Sequence, residues 1–258
     1  MSFISGEIKK LMFTLFGAAL LMLGLVWVAG NSQSIFTMSK KIVNTITGTK
    51  QYSDQYKYNL DKSKTYYLNI DTNLGKMSFL LYKDNAPNTV NNIVNLTKDK
   101  FYDNTKSIEI TPNYILTGKG SSNSETEYRI REEINANSLG LDRTTVGDNF
   151  SMLSEHFNQQ VLNKNSTLSV KDYYVLEGYS YTENITSKKI KKGSLVMYSE
   201  VANGFGNKFF ISTQNNLPAI DGRMTNFGEI VNGSDVLDKI IASTSKNVKI
   251  DSITITEK

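Results

Sequence analysis

The chain has 258 residues, enough for one full hydrophobic core with accessory segments, and its net charge of +4 comes from 29 basic and 25 acidic residues spread along its length. A nucleic-acid footprint needs clustered Lys and Arg, so this balance predicts a solvated surface and no nucleic-acid partner. With no cysteine and one histidine, His156, the sequence predicts no disulfide, no thiolate nucleophile, no Ser-His-Asp triad, no metal site and no cofactor.

The first predicted element is Leu11 to Ala29, an uncharged and mostly apolar run that at ~1.5 Å per residue matches the thickness of a bilayer hydrocarbon core. Lys9 and Lys10 stand directly before it, and the next basic residues are Lys40 and Lys41. This bias predicts a single-pass protein of the cell membrane with a cytoplasmic N-terminus and an extracytoplasmic domain. Trp27 suits an interfacial anchor. Val28-Ala29-Gly30 offers the small residues of a signal-peptidase site, but the apolar run is longer than a usual signal core, which favours an uncleaved anchor over residues 1–30. Asn31 stands where a lipoprotein signal needs cysteine.

Residues 31–64 read as an amphipathic segment and linker. Ile35, Phe36, Met38, Ile42, Val43 and Ile46 share one helical side, opposite Lys40, Lys41 and Asn44. That face serves equally to lie in the membrane interface or to pack on the domain or a partner helix. The domain is expected over 65–258. It includes a strand over Lys76 to Tyr82 and a helix starting at Ala86-Pro87, where proline costs no hydrogen bond, with Val90, Ile93, Val94 and Thr97 inward. Residues 121–192 hold Tyr128-Arg129-Ile130-Arg131-Glu132-Glu133-Ile134, a helix near Phe150 to Leu162, and Tyr173-Tyr174-Val175-Leu176. Their apolar and aromatic content predicts an ordered side lobe. Asn165-Ser166-Thr167 and Asn184-Ile185-Thr186 match the glycosylation triplet, as chance allows in so Asn-rich a chain. Ser234 is the expected N-cap of a second helix burying Val236, Leu237, Ile240 and Ile241, and Lys249 to Thr256 is the last strand.

Several runs carry a family resemblance: Asn69-Ile70-Asp71-Thr72-Asn73-Leu74-Gly75-Lys76-Met77, Ala86-Pro87-Asn88-Thr89-Val90, Phe209-Phe210-Ile211, Asp221-Gly222-Arg223 and Phe227-Gly228-Glu229-Ile230. Together they resemble the cyclophilins, the prolyl isomerases. The resemblance implies a mainly β fold, an eight-stranded antiparallel barrel capped by two helices, with 121–192 inserted near the groove. It also implies peptidyl-prolyl isomerase activity on exported proteins and a proline-containing polypeptide as partner.

Turning a prolyl amide means lowering a barrier of ~18–20 kcal/mol. That takes an apolar pocket for the ring, a donor aimed at the nitrogen, and groups that hold the flanking peptide. In the family the donor is an arginine three residues before a Pro-x-Phe-Met segment. The run Glu109-Ile110-Thr111-Pro112-Asn113-Tyr114-Ile115-Leu116-Thr117 aligns with it and places Glu109 at the arginine, Tyr114 and Ile115 at Phe and Met, and Thr117 at a supporting glutamine. An ionised carboxylate donates nothing. In Met197-Tyr198-Ser199-Glu200 through Lys208-Phe209-Phe210, the pocket floor Phe210 is kept. Tyr198, Ser199 and Glu200 replace the peptide-holding Ala-Asn-Ala, Tyr198 narrows the groove, and Lys208 replaces glutamine. Ala219 stands at a position of Trp or another large residue, Ile220 keeps an apolar wall, Met224 replaces histidine, and Arg223 is a substitute donor from another direction. Phe209 is expected in the core. Two readings result: a folding enzyme of low activity, or a non-catalytic binding or assembly module of a membrane protein complex. The combined substitutions favour the second.

Overall fold

In β1 (Tyr66–Thr72), side chains alternate strictly: Tyr66, Leu68 and Ile70 are buried, while Tyr67, Asn69 and Asp71 lie on the outer face. β2 (Gly75–Leu81) repeats the pattern with Met77, Phe79 and Leu81 inward. Thr72 closes the hairpin between them, its hydroxyl donating to the Gly75 carbonyl and accepting from the Leu74 N–H. These details come from a computed structural model, which describes residues 57–103, 109–117, 130–199, 202, 206–243 and 248–258. The predicted membrane span Leu11 to Ala29 and the amphipathic segment Ile35 to Ile46 lie outside the described residues. Among the described residues no helix is long and apolar enough to cross a membrane.

Six further strands join the hairpin: β3 (Glu109–Ile110), β4 (Tyr114–Thr117), β5 (Ser194–Met197), β6 (Phe209–Ser212), β7 (Asn226–Asn232) and β8 (Ile250–Glu257). They form one antiparallel sheet in the order β3-β4-β6-β5-β7-β2-β1-β8. The fold is therefore mainly β, as expected, but the sheet is a half-barrel. Its end strands β3 and β8 pair with one neighbour each among the described residues, and β3 is only two residues long. The inner face carries the main core, including Phe79, Ile115, Leu195, Phe209, Ile211 and Phe227.

Two helices close on this core. α1 (Pro87–Lys98) starts at Pro87 and buries Val90, Ile93 and Val94. Asn59 exchanges hydrogen bonds with Asn91 and Asn95 of α1 and Leu60 enters the core, so part of the expected linker is built into the domain. The second core helix, Ser234–Ala242, has Gly233 at its N-cap position, and no side chain caps it there. Gly233 has φ +83°, and a Cβ would lie 2.2 Å from the Lys76 carbonyl oxygen. Close backbone approach, not hydroxyl capping by Ser234, fixes this start.

The segment between β4 and β5 builds a lobe with its own core of Val146, Leu153, Leu162, Val170, Tyr173 and Tyr174. It contains α2 (Phe150–Leu153), α3 (Gln159–Lys164) and α4 (Val170–Leu176); the core helix Ser234–Ala242 is α5. The single helix expected near Phe150 to Leu162 is split because Asn158 takes an extended conformation and accepts from the Gln160 and Val161 N–H groups, capping α3. Asn135 fastens the lobe's base: its amide donates to the Glu183 and Ile185 carbonyls.

Candidate functional site

The ladder register places the expected groove. Glu109 pairs with Leu116 and Leu116 with Phe210, so Glu109 and Phe210 share a row and a sheet face, two strand spacings or roughly 10 Å apart. Tyr114, two residues before Leu116, lies on the same face, with its ring 5.2 Å from that of Phe210. Tyr198 packs on Tyr114 at 6.3 Å between centroids. Its position is set by the Tyr198 N–H donating to the Lys208 carbonyl. Phe210, Val196 and Ile190 form the buried centre of an outer apolar cluster, against which Tyr114, Tyr198, Leu217, Ile220 and Met224 are packed. Phe210 is only 1% exposed.

Period-two alternation separates the other expected residues. Ile115 belongs to the main core behind the sheet, and Thr117, paired with Phe209, is buried with a hydroxyl that has no hydrogen-bond partner among the described residues. Both therefore lie on the face opposite Tyr114 and Phe210. Ser199 and Lys208 are half-buried beside Tyr198, and Glu109 is exposed on the end strand.

Leu217 to Met224 forms tight turns, with the Ile220 and Asp221 N–H groups donating to Leu217 and those of Arg223 and Met224 donating to Ile220. This segment presents Leu217, Ile220 and Met224 to the Phe210 cluster, and the Ala219 and Gly222 carbonyls and the Arg223 side chain to the lobe. The Tyr174 hydroxyl donates to the Ala219 carbonyl at 3.4 Å and the Tyr181 hydroxyl to the Gly222 carbonyl at 3.1 Å. Arg223 donates from Nε to the Tyr179 hydroxyl at 3.1 Å and from Nη1 to the Ala219 carbonyl at 3.2 Å. Its guanidinium carbon lies 4.9 Å from the Phe157 ring centre and 5.7 Å from that of Tyr179. The lobe thus holds the one basic side chain that sequence reasoning offered as a substitute donor. Sequence reasoning missed Phe157, Tyr174, Tyr179 and Tyr181 as parts of this junction; their aromatic density within the insertion was the signal.

Asp221 ties the same segment to the run before β5, its Oδ1 accepting from the Ile190 N–H at 2.8 Å. Burial pushes its carboxyl up to about 6, above the ordinary 3.8. A raised acid pKa favours the folded state below the unfolded value, and this contribution is lost as pH rises through about 6. Asp221→Asn keeps the acceptor without the charge. Its stability relative to the parent should rise by on the order of 2–3 kcal/mol between pH 4 and 7, measured by denaturant unfolding across that range. A constant difference would show that Asp221 ionises normally.

A profile of the cyclophilin type peptidyl-prolyl cis-trans isomerase/CLD family matches residues 67–257. Peptidyl-prolyl cis-trans isomerase-like 2 from two strains of Cryptococcus neoformans var. neoformans serotype D is 28% identical to the chain over 179 residues, 69% of this chain and 24% of each relative. The chain thus spans about a quarter of the length of these curated relatives. Two crystal structures of a Cryptosporidium parvum cyclophilin type peptidyl-prolyl cis-trans isomerase also match. One gives a TM-score of 0.46 at 18% identity, and the other, determined in the presence of the dipeptide Ala-Pro, 0.48 at 19%; each covers 74% of this chain and 98% of that chain.

Proposed function

Because the chain belongs to the cyclophilin-type peptidyl-prolyl cis-trans isomerase family, we propose that it is a membrane-anchored, extracytoplasmic cyclophilin-like protein that engages proline-containing polypeptide with weak or lost catalysis. Residues 1–30 serve as the anchor, 31–64 as the amphipathic segment and linker, and 65–258 as the domain. Family membership supports the proline-containing ligand. The occupant of the donor position carries the catalytic half of the reading: Glu109 shares a face with Phe210 where the reaction needs a cation, and an ionised carboxylate offers a twisting amide no hydrogen bond. The packing of Tyr198 on Tyr114 favours a second reading, a non-catalytic binding or assembly module of a membrane complex, since that ring takes space a substrate backbone would need.

The anchoring half rests on the run Leu11 to Ala29 behind Lys9 and Lys10. In intact cells stripped of any outer layer, added protease should degrade the domain, and the undigested chain should stay with membranes through a high-salt wash, because screening does not weaken apolar insertion. Recovery of a soluble form beginning at Asn31 would overturn the anchor.

A further inference from the structure

Among the described residues, Arg223 is a partly buried cation whose partners are all neutral. Its Nε and Nη1 donate to a phenol and a carbonyl, and its guanidinium carbon lies over the Phe157 and Tyr179 rings. Among the described residues it forms no ion pair with a carboxylate, and only two of an arginine's five N–H groups are used. The nearby Asp221 carboxylate accepts from the Ile190 N–H instead. Tyr174 and Tyr181 stay protonated, since burial pushes both phenols far up. His156 is biased towards its neutral form by burial and by the Arg223 charge. Desolvating a guanidinium without an anion is costly, and the three N–H groups that have no partner among the described residues suit a carboxylate.

We infer that Arg223 receives the carboxylate of an Asp or Glu side chain flanking the proline of a bound polypeptide, and so sets the domain's preference for acidic proline-containing segments. The placement follows from the chain: Met224, the next residue, and Ile220 pack on the Phe210 cluster, so a peptide seated on that cluster would lie beside the segment that carries Arg223. The lobe contributes Phe157 and Tyr179 to the position, which assigns the insertion a role in specificity. The inference rests on the proposed proline-binding reading, but Arg223 can be tested apart from it.

The test uses the full-length chain in neutral detergent micelles and fluorescence polarisation with labelled Gly-X-Ala-Pro-X-Gly, X being Asp or Asn, together with the Asp peptide carrying Ala in place of Pro. The Asp peptide should bind about tenfold or more tightly than the Asn peptide, a difference of ~1.4 kcal/mol. That ratio should shrink at about 0.5 M salt, fall towards one in Arg223→Gln, and be kept in part by Arg223→Lys, which retains the charge but not the fork. Equal affinity for the Asp and Asn peptides, or a preference that survives Arg223→Gln, overturns the inference and leaves proline binding standing. If the Asp peptide binds equally well without its proline and still depends on Arg223, the carboxylate site stands and proline recognition falls. Binding of none of the three overturns both.

Discussion

Glu133→Ala should destabilise the domain by about 3 kcal/mol, a drop in Tm of roughly 6–12 °C for a domain of this size. The Glu133 carboxylate is 7% exposed and caps α1 from 45 residues away: one oxygen accepts from the Asn88 N–H at 2.9 Å, the other from the Thr89 N–H at 2.8 Å. Ala86, at the N-cap, has no polar side chain, so these donors depend on a distant acid. The negative charge also meets the positive end of the helix dipole. Truncation removes both acceptors and leaves the Thr89 N–H buried, at about 1–3 kcal/mol per orphaned group. Glu133→Gln keeps one oxygen and turns an amide N–H₂ towards a donor, so it should recover less than half. Denaturant titration of the three proteins checks the order, and a loss below 1 kcal/mol for alanine would mean that water satisfies the helix start. The Glu133 N–H donates to the Thr225 hydroxyl, so the same residue anchors the segment leading from Met224 into β7.

The capping of α1 also marks where local sequence reading stops. Pro87 announced the helix start because its fixed φ and missing N–H suit only the first turn, but nothing near Pro87 names Glu133 as the cap. The strand expected over Lys76 to Tyr82 is found as Gly75 to Leu81, whose alternation buries one face, whereas Tyr66 to Thr72, which alternates in the same way, is a strand that sequence reasoning did not name. Closure was not legible, since the pairing of end strands depends on long-range geometry that β3, at two residues, scarcely encodes. The split of the expected helix near Phe150 to Leu162 turned on Asn158, whose side chain competes for backbone donors.

Of the residues expected at a groove, Phe210, Tyr114, Ile220 and Met224 come together in the outer apolar cluster and Glu109 shares the row of Phe210. Ile115 and Thr117 were assigned by alignment alone. Alternation from Tyr114 would have placed them on the opposite face, where the structure has them. The neighbours of Arg223 were beyond reach, because Phe157 and Tyr179 come from a lobe whose docking no periodicity reveals.

The second large effect concerns rate. Prolyl isomerisation without a catalyst takes tens to hundreds of seconds, and each tenfold acceleration requires ~1.4 kcal/mol of differential stabilisation of the twisted amide. The outer cluster offers apolar contact through Phe210, Tyr114 and Met224, but contact of that kind holds ground and twisted states nearly alike. Arg223, the one cation on the Leu217 to Met224 segment, already donates to Tyr179 and Ala219. Reinstating arginine as Glu109→Arg should raise the rate by about tenfold and no more, because Thr117 is turned to the core and cannot support it, and the Tyr198 ring still packs beside Tyr114. The decisive measurement is the isomerisation rate of an Ala-Pro peptide with the unmodified protein at a concentration that saturates binding. A rate within about tenfold of the uncatalysed one, little changed by Phe210→Ala, is the result expected, whereas acceleration of a hundredfold or more that disappears in Arg223→Ala would contradict it and identify Arg223 as the donor.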